Sequence, residues 1–223
     1  DGRNEHDADG ASDAPETTCD SAKGSRLSAG SLTADDAVFD NYQRSNGDGE
    51  IDLSIQGAIE ANRTRFDSAR RIALSADGSI DLGEATLDNY QSSNGDGEIT
   101  VEAGGDLTAS DATVDGAKTI TLSGRSVDLT DGRVDNYQNS NGGGEITVRT
   151  DGGDAVLERT RLDSQKKIVG DVDGARSIRV EGAEILNKGK APGNGNPGKG
   201  GKPTMTNENG ATVGGEPAQG RVG

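Results

Sequence analysis

The sequence of 223 residues lacks tryptophan and contains only two phenylalanines, three tyrosines, one cysteine and one histidine. Leu, Ile, Val and Phe together make up about 17% of it, below the ~20% under which a strongly charged chain is expected to be disordered. This shortage excludes a conventional core of large side chains, and it leaves either disorder or an architecture that needs few of them. The lone Cys19 excludes an internal disulfide and leaves two interpretations open, a free thiol or an intermolecular bridge.

Other absences exclude whole classes of function. No run approaches the ~18 consecutive apolar residues of a membrane-spanning helix. The net charge of −16 and the lack of a basic patch argue against binding to the phosphate backbone of a nucleic acid. His6 lies alone in a polar segment, so neither a metal centre nor a Ser-His-Asp arrangement is predicted around it.

A repeat of 47 to 48 residues favours order in the middle of the chain. Its most constant part reads DNYQRSNGDGEIDL at 40–53, DNYQSSNGDGEITV at 88–101 and DNYQNSNGGGEITV at 135–148. An apolar residue followed by Asp and then Asn, Ser or Gly recurs from Phe39 to Leu162 at spacings of 27, 21, 27, 20 and 28 residues. Each repeat therefore contains two coils, one longer and one shorter.

Alternating apolar residues such as Ile51, Leu53 and Ile55 indicate short strands with one buried face. No proline interrupts them between Pro15 and Pro192. Two or three such strands in each coil are typical of a parallel β-helix, whose narrow interior needs few large side chains. We therefore predict an all-β chain with a single parallel β-helix of about seven coils over 26–186. A polar N-terminal arm over 1–25 and a Gly/Pro/Lys-rich C-terminal tail over 187–223 extend from it.

Two resemblances follow from these patterns. Val101–Asp106 and Ser110–Val114 resemble the repeats of filamentous-haemagglutinin-type surface proteins. That likeness implies a right-handed β-helix, an extracellular adhesive or filamentous role, and no catalytic residues. Aspartate outnumbers glutamate by 26 to 13, and arginine outnumbers lysine by 15 to 8. This balance is similar to that of secreted proteins from extreme halophiles, where salt screens the repulsion between carboxylates.

The repeated SNGDGE segments resemble part of a calcium-binding loop, in which oxygen ligands alternate around a glycine. The candidate ligands are Asn46, Asp48, Glu50, Asn94, Asp96 and Glu98. The third copy has Gly143 in place of the aspartate, and Asn-Gly and Asp-Gly pairs also form plain turns. Both a turn and a calcium site stay open, and no other cofactor is required.

Three further sets of residues are candidates for contacts. Tyr42, Tyr90 and Tyr137 recur at every second coil, about 9.6 Å apart, where their rings either pack on the protein or a neighbouring subunit or stack on sugars. Asn62 begins the only N-glycosylation sequon. The tail carries a net charge of +3 against −19 for the rest of the chain. Its basic residues are Lys188, Lys190, Lys199, Lys202 and Arg221.

The ends and the regularity of the repeats decide the functional prediction. The basic tail is either a flexible appendage or a head-to-tail contact with the acidic body of the next copy, which propagates into a filament. No polar cap is evident at either end of the predicted coils, which favours end-to-end pairing. No coil carries a distinct cleft, so an enzyme is not predicted. We predict a structural subunit of an extracellular filament or surface fibre whose partner is itself. The alternatives are a monomeric or cell-surface adhesin that binds glycans and, less favoured, a β-helical polysaccharide lyase or hydrolase.

Overall fold

The computed structural model describes residues 3–13, 18–20, 24–41, 49–89, 97–136, 145–164, 167–171, 176–187, 204–206 and 212–214. These residues form strands, turns and bends, with no helix among them. Every strand pair is parallel. The predicted all-β parallel solenoid is thus confirmed.

The strands follow one another in nine successive coils. Coil 1 contains β1 (Arg3–Asp13) and β2 (Thr18–Asp20), and coil 2 contains β3 (Gly24–Thr33) and β4 (Val38–Asn41). Coil 3 contains β5 (Glu50–Ile55), β6 (Ile59–Glu60) and β7 (Arg65–Ser68). Coil 4 contains β8 (Arg71–Ala76), β9 (Ile80–Asp81) and β10 (Thr86–Asn89). Coil 5 contains β11 (Glu98–Ala103), β12 (Leu107–Thr108) and β13 (Thr113–Gly116). Coil 6 contains β14 (Thr119–Gly124), β15 (Val127–Asp128) and β16 (Arg133–Asp135). Coil 7 contains β17 (Glu145–Thr150), β18 (Asp154–Val156) and β19 (Arg161–Ser164). Coil 8 contains β20 (Lys167–Asp171), β21 (Ser177–Arg179) and β22 (Glu184–Asn187). Coil 9 contains β23 (Thr204–Thr206) and β24 (Thr212–Gly214).

Three parallel ladders form the faces of the solenoid. Face 1 contains β5, β8, β11, β14, β17, β20 and β23, and face 2 contains β6, β9, β12, β15, β18, β21 and β24. Strand β3 is long enough to belong to both of these faces, and β1 pairs along its whole length. Face 3 contains β2, β4, β7, β10, β13, β16, β19 and β22. Coils 2 to 8 are the seven coils that the repeat predicts.

The core is a stack of small apolar columns, one residue from each coil. On face 1 the isoleucines of five successive coils lie in register and have no exposed surface: Ile51, Ile72, Ile99, Ile120 and Ile146. On face 3 the rings of Phe39 and Phe66 stack with their centroids 5.0 Å apart. Because each column reuses one position in every coil, the low content of large apolar residues is sufficient for a continuous core.

Coil 1 lies on the N-terminal side of the predicted coils. Its strand β1 pairs in parallel with β3, and Asn4 is in register with Ser25, His6 with Leu27 and Ser12 with Leu32. Part of the segment predicted as a polar arm therefore contributes β1 and β2 to the ladders. At the other end, β23 and β24 continue the ladders within the segment predicted as a tail.

Candidate functional site

In three coils, a segment of the repeat that we call the insert separates face 3 from face 1 at the same corner. The described chain stops at Asn41, Asn89 and Asn136 and resumes at Gly49, Gly97 and Glu145. The intervening coils cross the same corner within a few residues, as between Ser68 and Arg71. We call this corner the insert edge. Because alternate coils form it without an insert, the scaffold itself does not require the inserts, which recur every second coil at a spacing of about 9.6 Å.

Buried asparagines hold the two ends of an insert together. Asn41 Nδ2 donates to the carbonyl oxygen of Glu50, and Asn89 Nδ2 to that of Glu98, each at 2.7 Å, across the base of the insert. A Cβ at Gly97 would lie 2.6 Å from the carbonyl oxygen of Asn89, so only glycine permits this close approach. Asn136 instead donates to the carbonyl oxygen of Lys118 in the preceding coil, at 3.0 Å. In the first two copies, the repeated Asn thus closes the base of the insert, and Gly97 permits the close approach there.

Most residues predicted as sites lie within or beyond these inserts. The following lie outside the described residues: Tyr42, Tyr90, Tyr137, Asn46, Asp48, Asn94, Asp96, Lys188, Lys190, Lys199, Lys202 and Arg221. The contact role of the tyrosines, the calcium site and the basic tail therefore stay predictions. The structure shows only that the described residues flanking each tyrosine-containing segment lie on the insert edge.

Glu50 and Glu98 are the two described members of the predicted calcium set. Glu50 is the first residue of β5 and Glu98 is the first residue of β11, and β8 lies between these two strands on face 1. Both are in register with Arg71, which lies between them. Glu50 Oε1 is 3.6 Å from Arg70 Nη1. Together with Lys118, these four residues line a surface cavity of about 270 Å³. No three His, Cys, Asp or Glu side chains in the described ranges are grouped so that they could hold a metal ion.

An uninterrupted column of aspartates runs along the outer side of face 3. Its members are in register from coil to coil: Asp20, Asp40, Asp67, Asp88, Asp115, Asp135 and Asp163. We call this the aspartate column. Neighbouring carboxylates in such a ladder lie about one strand spacing, ~4.8 Å, apart, so each repels the next. The asparagines that follow Asp40, Asp88 and Asp135 bond through Nδ2 to backbone carbonyl oxygens.

Arginines offset this repulsion in several coils. Arg65 Nη2 lies 2.7 Å from Asp67 Oδ2, and Arg133 Nη2 lies 2.7 Å from Asp135 Oδ2. Asp115 has Thr113 at the corresponding position of its strand. Burial raises the pKa of Asp115 to about 6, and the adjacent charges of Asp135 and Asp88 add to the effect against that of Arg133.

Burial also raises the pKa of Asp67, against the hydrogen bond from Arg65. Both shifts mean that Asp67 and Asp115 carry their negative charge less readily than an exposed aspartate does.

A second column follows the turn from face 2 to face 3, where one residue of each coil has a positive φ. These residues are Asp36, Arg63, Glu84, Asp111, Asp131, Arg159 and Gly182. The backbone N–H groups of the six non-glycine residues bond to the next coil, as Arg63 does to the carbonyl oxygen of Gly83 at 2.8 Å. These bonds between coils hold non-glycine residues in a conformation that they otherwise disfavour.

Opposite charges pair along this turn column. Arg63 donates two hydrogen bonds of 2.7 Å to Asp36, and Arg159 donates two of 2.6 Å to Asp131. These bonds lower the pKa of Asp36 and of Asp131 below their usual values. Sequence reasoning missed both pairs, although separations of 27 and 28 residues equal the length of a long coil and signal contact between coils.

The glycosylation candidate Asn62 lies in the same turn. It is half-buried, and its backbone N–H and its Nδ2 both donate to Asp35 Oδ1, at 2.8 and 3.3 Å. The hydroxyl of Thr64, the third residue of the sequon, is buried and donates to the carbonyl oxygen of Ala34. Both polar residues of the sequon are therefore engaged with the preceding coil in the folded chain.

Comparison with known proteins adds no family to this description. The chain matches no protein-family model, and no similar curated protein or solved structure was found. Within the described ranges, no helix is long and apolar enough to cross a membrane.

Proposed function

We propose that the chain is a structural subunit of an extracellular filament or surface fibre that assembles end to end. The observation that supports this most is the single sense of the ladders: every strand pair is parallel over all nine coils. Among the described residues, β1 pairs on one edge only, as do β23 and β24. A copy displaced along the axis would therefore continue the same ladders, which is a heterologous contact that propagates.

The surface chemistry supports an extracellular setting. The likeness to filamentous-haemagglutinin-type repeats and the halophile-like balance of charged residues both favour it. The net charge of −16 keeps separate rods apart laterally, because like-charged rods repel along their length. The described coils repeat one arrangement of strands, which supports the non-enzymatic role that we propose.

The filament proposal predicts assembly of the purified full-length chain. We expect negative-stain electron microscopy to show fibres one solenoid wide, and sedimentation velocity to show species well above the 22.8 kDa monomer. Monomers alone, at every protein and salt concentration, would contradict the proposal.

A glycan-binding adhesin is the second candidate, favoured by the alignment of the insert bases on one edge. A spacing of about 9.6 Å between inserts approximates a disaccharide unit of an extended polysaccharide, so successive inserts would contact successive units. We expect the triple variant Tyr42→Ala, Tyr90→Ala and Tyr137→Ala to reduce binding on a glycan array at least about tenfold, since stacked aromatic rings contribute most to such contacts. Substituting Thr100, Thr121 and Thr147 with alanine, on face 1, is the matched control. Equal binding by both variants would argue against the adhesin.

A further inference from the structure

The surface cavity on the insert edge has an excess of positive charge, although the chain as a whole carries −16. It is lined by Glu50, Arg70, Arg71, Glu98 and Lys118, so three cations against two carboxylates leave a net charge of +1. Its volume of about 270 Å³ is just below the ~300 Å³ at which pockets for drug-sized ligands begin. The cavity therefore suits one small group with a single negative charge.

The two arginines of the cavity are held by ion pairs that are longer than hydrogen bonds. Arg70 Nη1 lies 3.6 Å from Glu50 Oε1, and Arg71 Nη1 lies 3.8 Å from Asp52 Oδ2, whereas an N–H···O hydrogen bond reaches ~3.2 Å. The arginines of the turn column instead donate two short hydrogen bonds to one aspartate each. The side chains of Arg70 and Arg71 are also 55% and 43% exposed, so their N–H groups can reach an incoming carboxylate.

The backbone places two of the cations on either side of a gap. The N–H of Arg70 donates to the carbonyl oxygen of Gly49, and the carbonyl oxygen of Arg70 accepts from the N–H of Glu98, each at 3.0 Å. In the register of face 1, Gly97 occupies the position between Arg70 and Lys118 and adds no side chain there. Two coils, about 9.6 Å, thus separate the two cations, with room for an anion between them.

The two glutamates give the cavity a second kind of contact. An ionised carboxylate only accepts hydrogen bonds, and a sugar hydroxyl donates them. A ligand with one carboxylate beside several hydroxyl groups therefore matches both the cations and Glu50 and Glu98, and a uronic acid is such a ligand. A densely sulfated polymer would instead be repelled by these glutamates and by the acidic chain around them.

We propose that this cavity binds a uronate residue of an acidic polysaccharide. Arg70, Arg71 and Lys118 contact the carboxylate of the sugar, and Glu50 and Glu98 accept hydrogen bonds from its hydroxyl groups. The inference rests on the adhesin candidate, to which it gives a substrate class, and not on the filament. Binding weakens with salt, because the screening length falls from about 10 Å at 0.1 M to about 3 Å at 1 M.

Isothermal titration calorimetry of the full-length chain tests the inference, with oligogalacturonate as the acidic probe. Free galacturonate, neutral dextran and dextran sulfate are the comparison ligands. The cavity variant carries Arg70→Gln and Lys118→Gln. The control variant carries Arg149→Gln and Arg176→Gln, which remove the same charge from exposed arginines outside the cavity that are held by ion pairs of 3.8 and 4.0 Å. Far-UV circular dichroism and thermal unfolding check that both variants fold.

We expect the wild type and the control to bind oligogalacturonate equally, and the cavity variant to bind at least about tenfold more weakly, because it loses charge-assisted hydrogen bonds. Equal affinity in all three proteins, or equal binding of dextran and oligogalacturonate by the wild type, would overturn the uronate site. Tighter binding of dextran sulfate would overturn the preference for a single carboxylate. Free galacturonate that binds as tightly as the oligomer would overturn the polysaccharide as the source of the anion, in favour of a free organic acid.

The outcomes also separate the uronate site from the adhesin itself. Binding of neutral glycans alone, retained by the cavity variant and lost in the triple tyrosine variant, would overturn the uronate site and leave the adhesin in place. Absence of binding to every glycan, acidic or neutral, would overturn the adhesin candidate as well.

Discussion

Replacing Asn89 with leucine should lower the free energy of unfolding by about 2–5 kcal/mol, although leucine has a similar volume. Asn89 has no exposed surface, its Nδ2 donates to the carbonyl oxygen of Glu98, and its Oδ1 accepts from the N–H of Ala117 at 3.1 Å. Leucine would leave both backbone groups buried without these partners, and each such group costs about 1–3 kcal/mol. Urea unfolding followed by circular dichroism measures the change.

The short coils supply a matched control for this substitution. Ser68 occupies the corresponding position, is fully buried, and donates to the carbonyl oxygens of Gly49 and Arg71 at 2.7 and 3.0 Å. Asn89→Ser should therefore cost less than Asn89→Leu, because a hydroxyl can still bond to a backbone carbonyl. If the two variants were equally stable, the polar bonds at the insert base would not be what stabilises it.

The alternation of apolar residues was sufficient to predict the fold. Ile51, Leu53 and Ile55 alternate in sequence, and all three are buried in β5. The spacing of the repeated motif likewise predicted the alternation of longer and shorter coils. These signals are strong because a solenoid repeats each interior position in every coil, so one pattern is read many times along the chain.

The strands of coil 1 were not predicted from the sequence, and the reason is physical. Residues 3–13 have no apolar period in the sequence to detect. A strand in a parallel ladder is also stabilised by backbone hydrogen bonds to its neighbour, which leave no mark on the sequence. Pairing with β3 therefore orders a segment whose side chains alone predict a polar arm.

The candidate site was only partly predictable. The alternating coil lengths predict the insert edge. They do not predict that Arg70 and Arg71 line a cavity there with Glu50 and Glu98, because these arginines come from the intervening coil. The aspartates of the column recur visibly in the sequence. The repulsion between neighbouring carboxylates, however, depends on the exact register of β10, β13 and β16. Contacts between coils are set by this register, which composition and periodicity do not fix.

Lowering the pH from 7 to 5 should stabilise this protein. The pKa of Asp115 is raised to about 6 in the folded chain, from the usual 3.8, so the folded state binds a proton more tightly than the unfolded state does. The contribution of this group to stability is therefore greatest at acidic pH and is lost as the pH rises through about 6. A shift of about two pKa units corresponds to about 3 kcal/mol, which solvent screening reduces to about 1–2 kcal/mol.

The paired aspartates set the acidic limit of this stabilisation. Hydrogen bonds from Arg63 and Arg159 lower the pKa values of Asp36 and Asp131 in the folded state. Their contribution is present above the unfolded pKa near 4 and is lost as the pH falls below it. Stability should therefore pass through a maximum between about pH 4 and pH 6, as measured by urea unfolding across this range.

The variant Asp115→Asn separates the aspartate column from the rest of the molecule. An amide resembles the protonated acid, so we expect a gain of about 1–2 kcal/mol at pH 7, little change at pH 4.5, and a flatter profile between them. Asp77→Asn, in an exposed turn outside the aspartate column, is the control and should leave the profile unchanged. We expect most of this gain to persist at 1 M NaCl, because burial is the largest cause of the raised pKa of Asp115. The smaller part that comes from repulsion by Asp88 and Asp135 should be screened. A profile in which the wild type loses stability steadily from pH 7 to pH 5, or an Asp115→Asn variant no more stable than the wild type at pH 7, would contradict the raised pKa of Asp115.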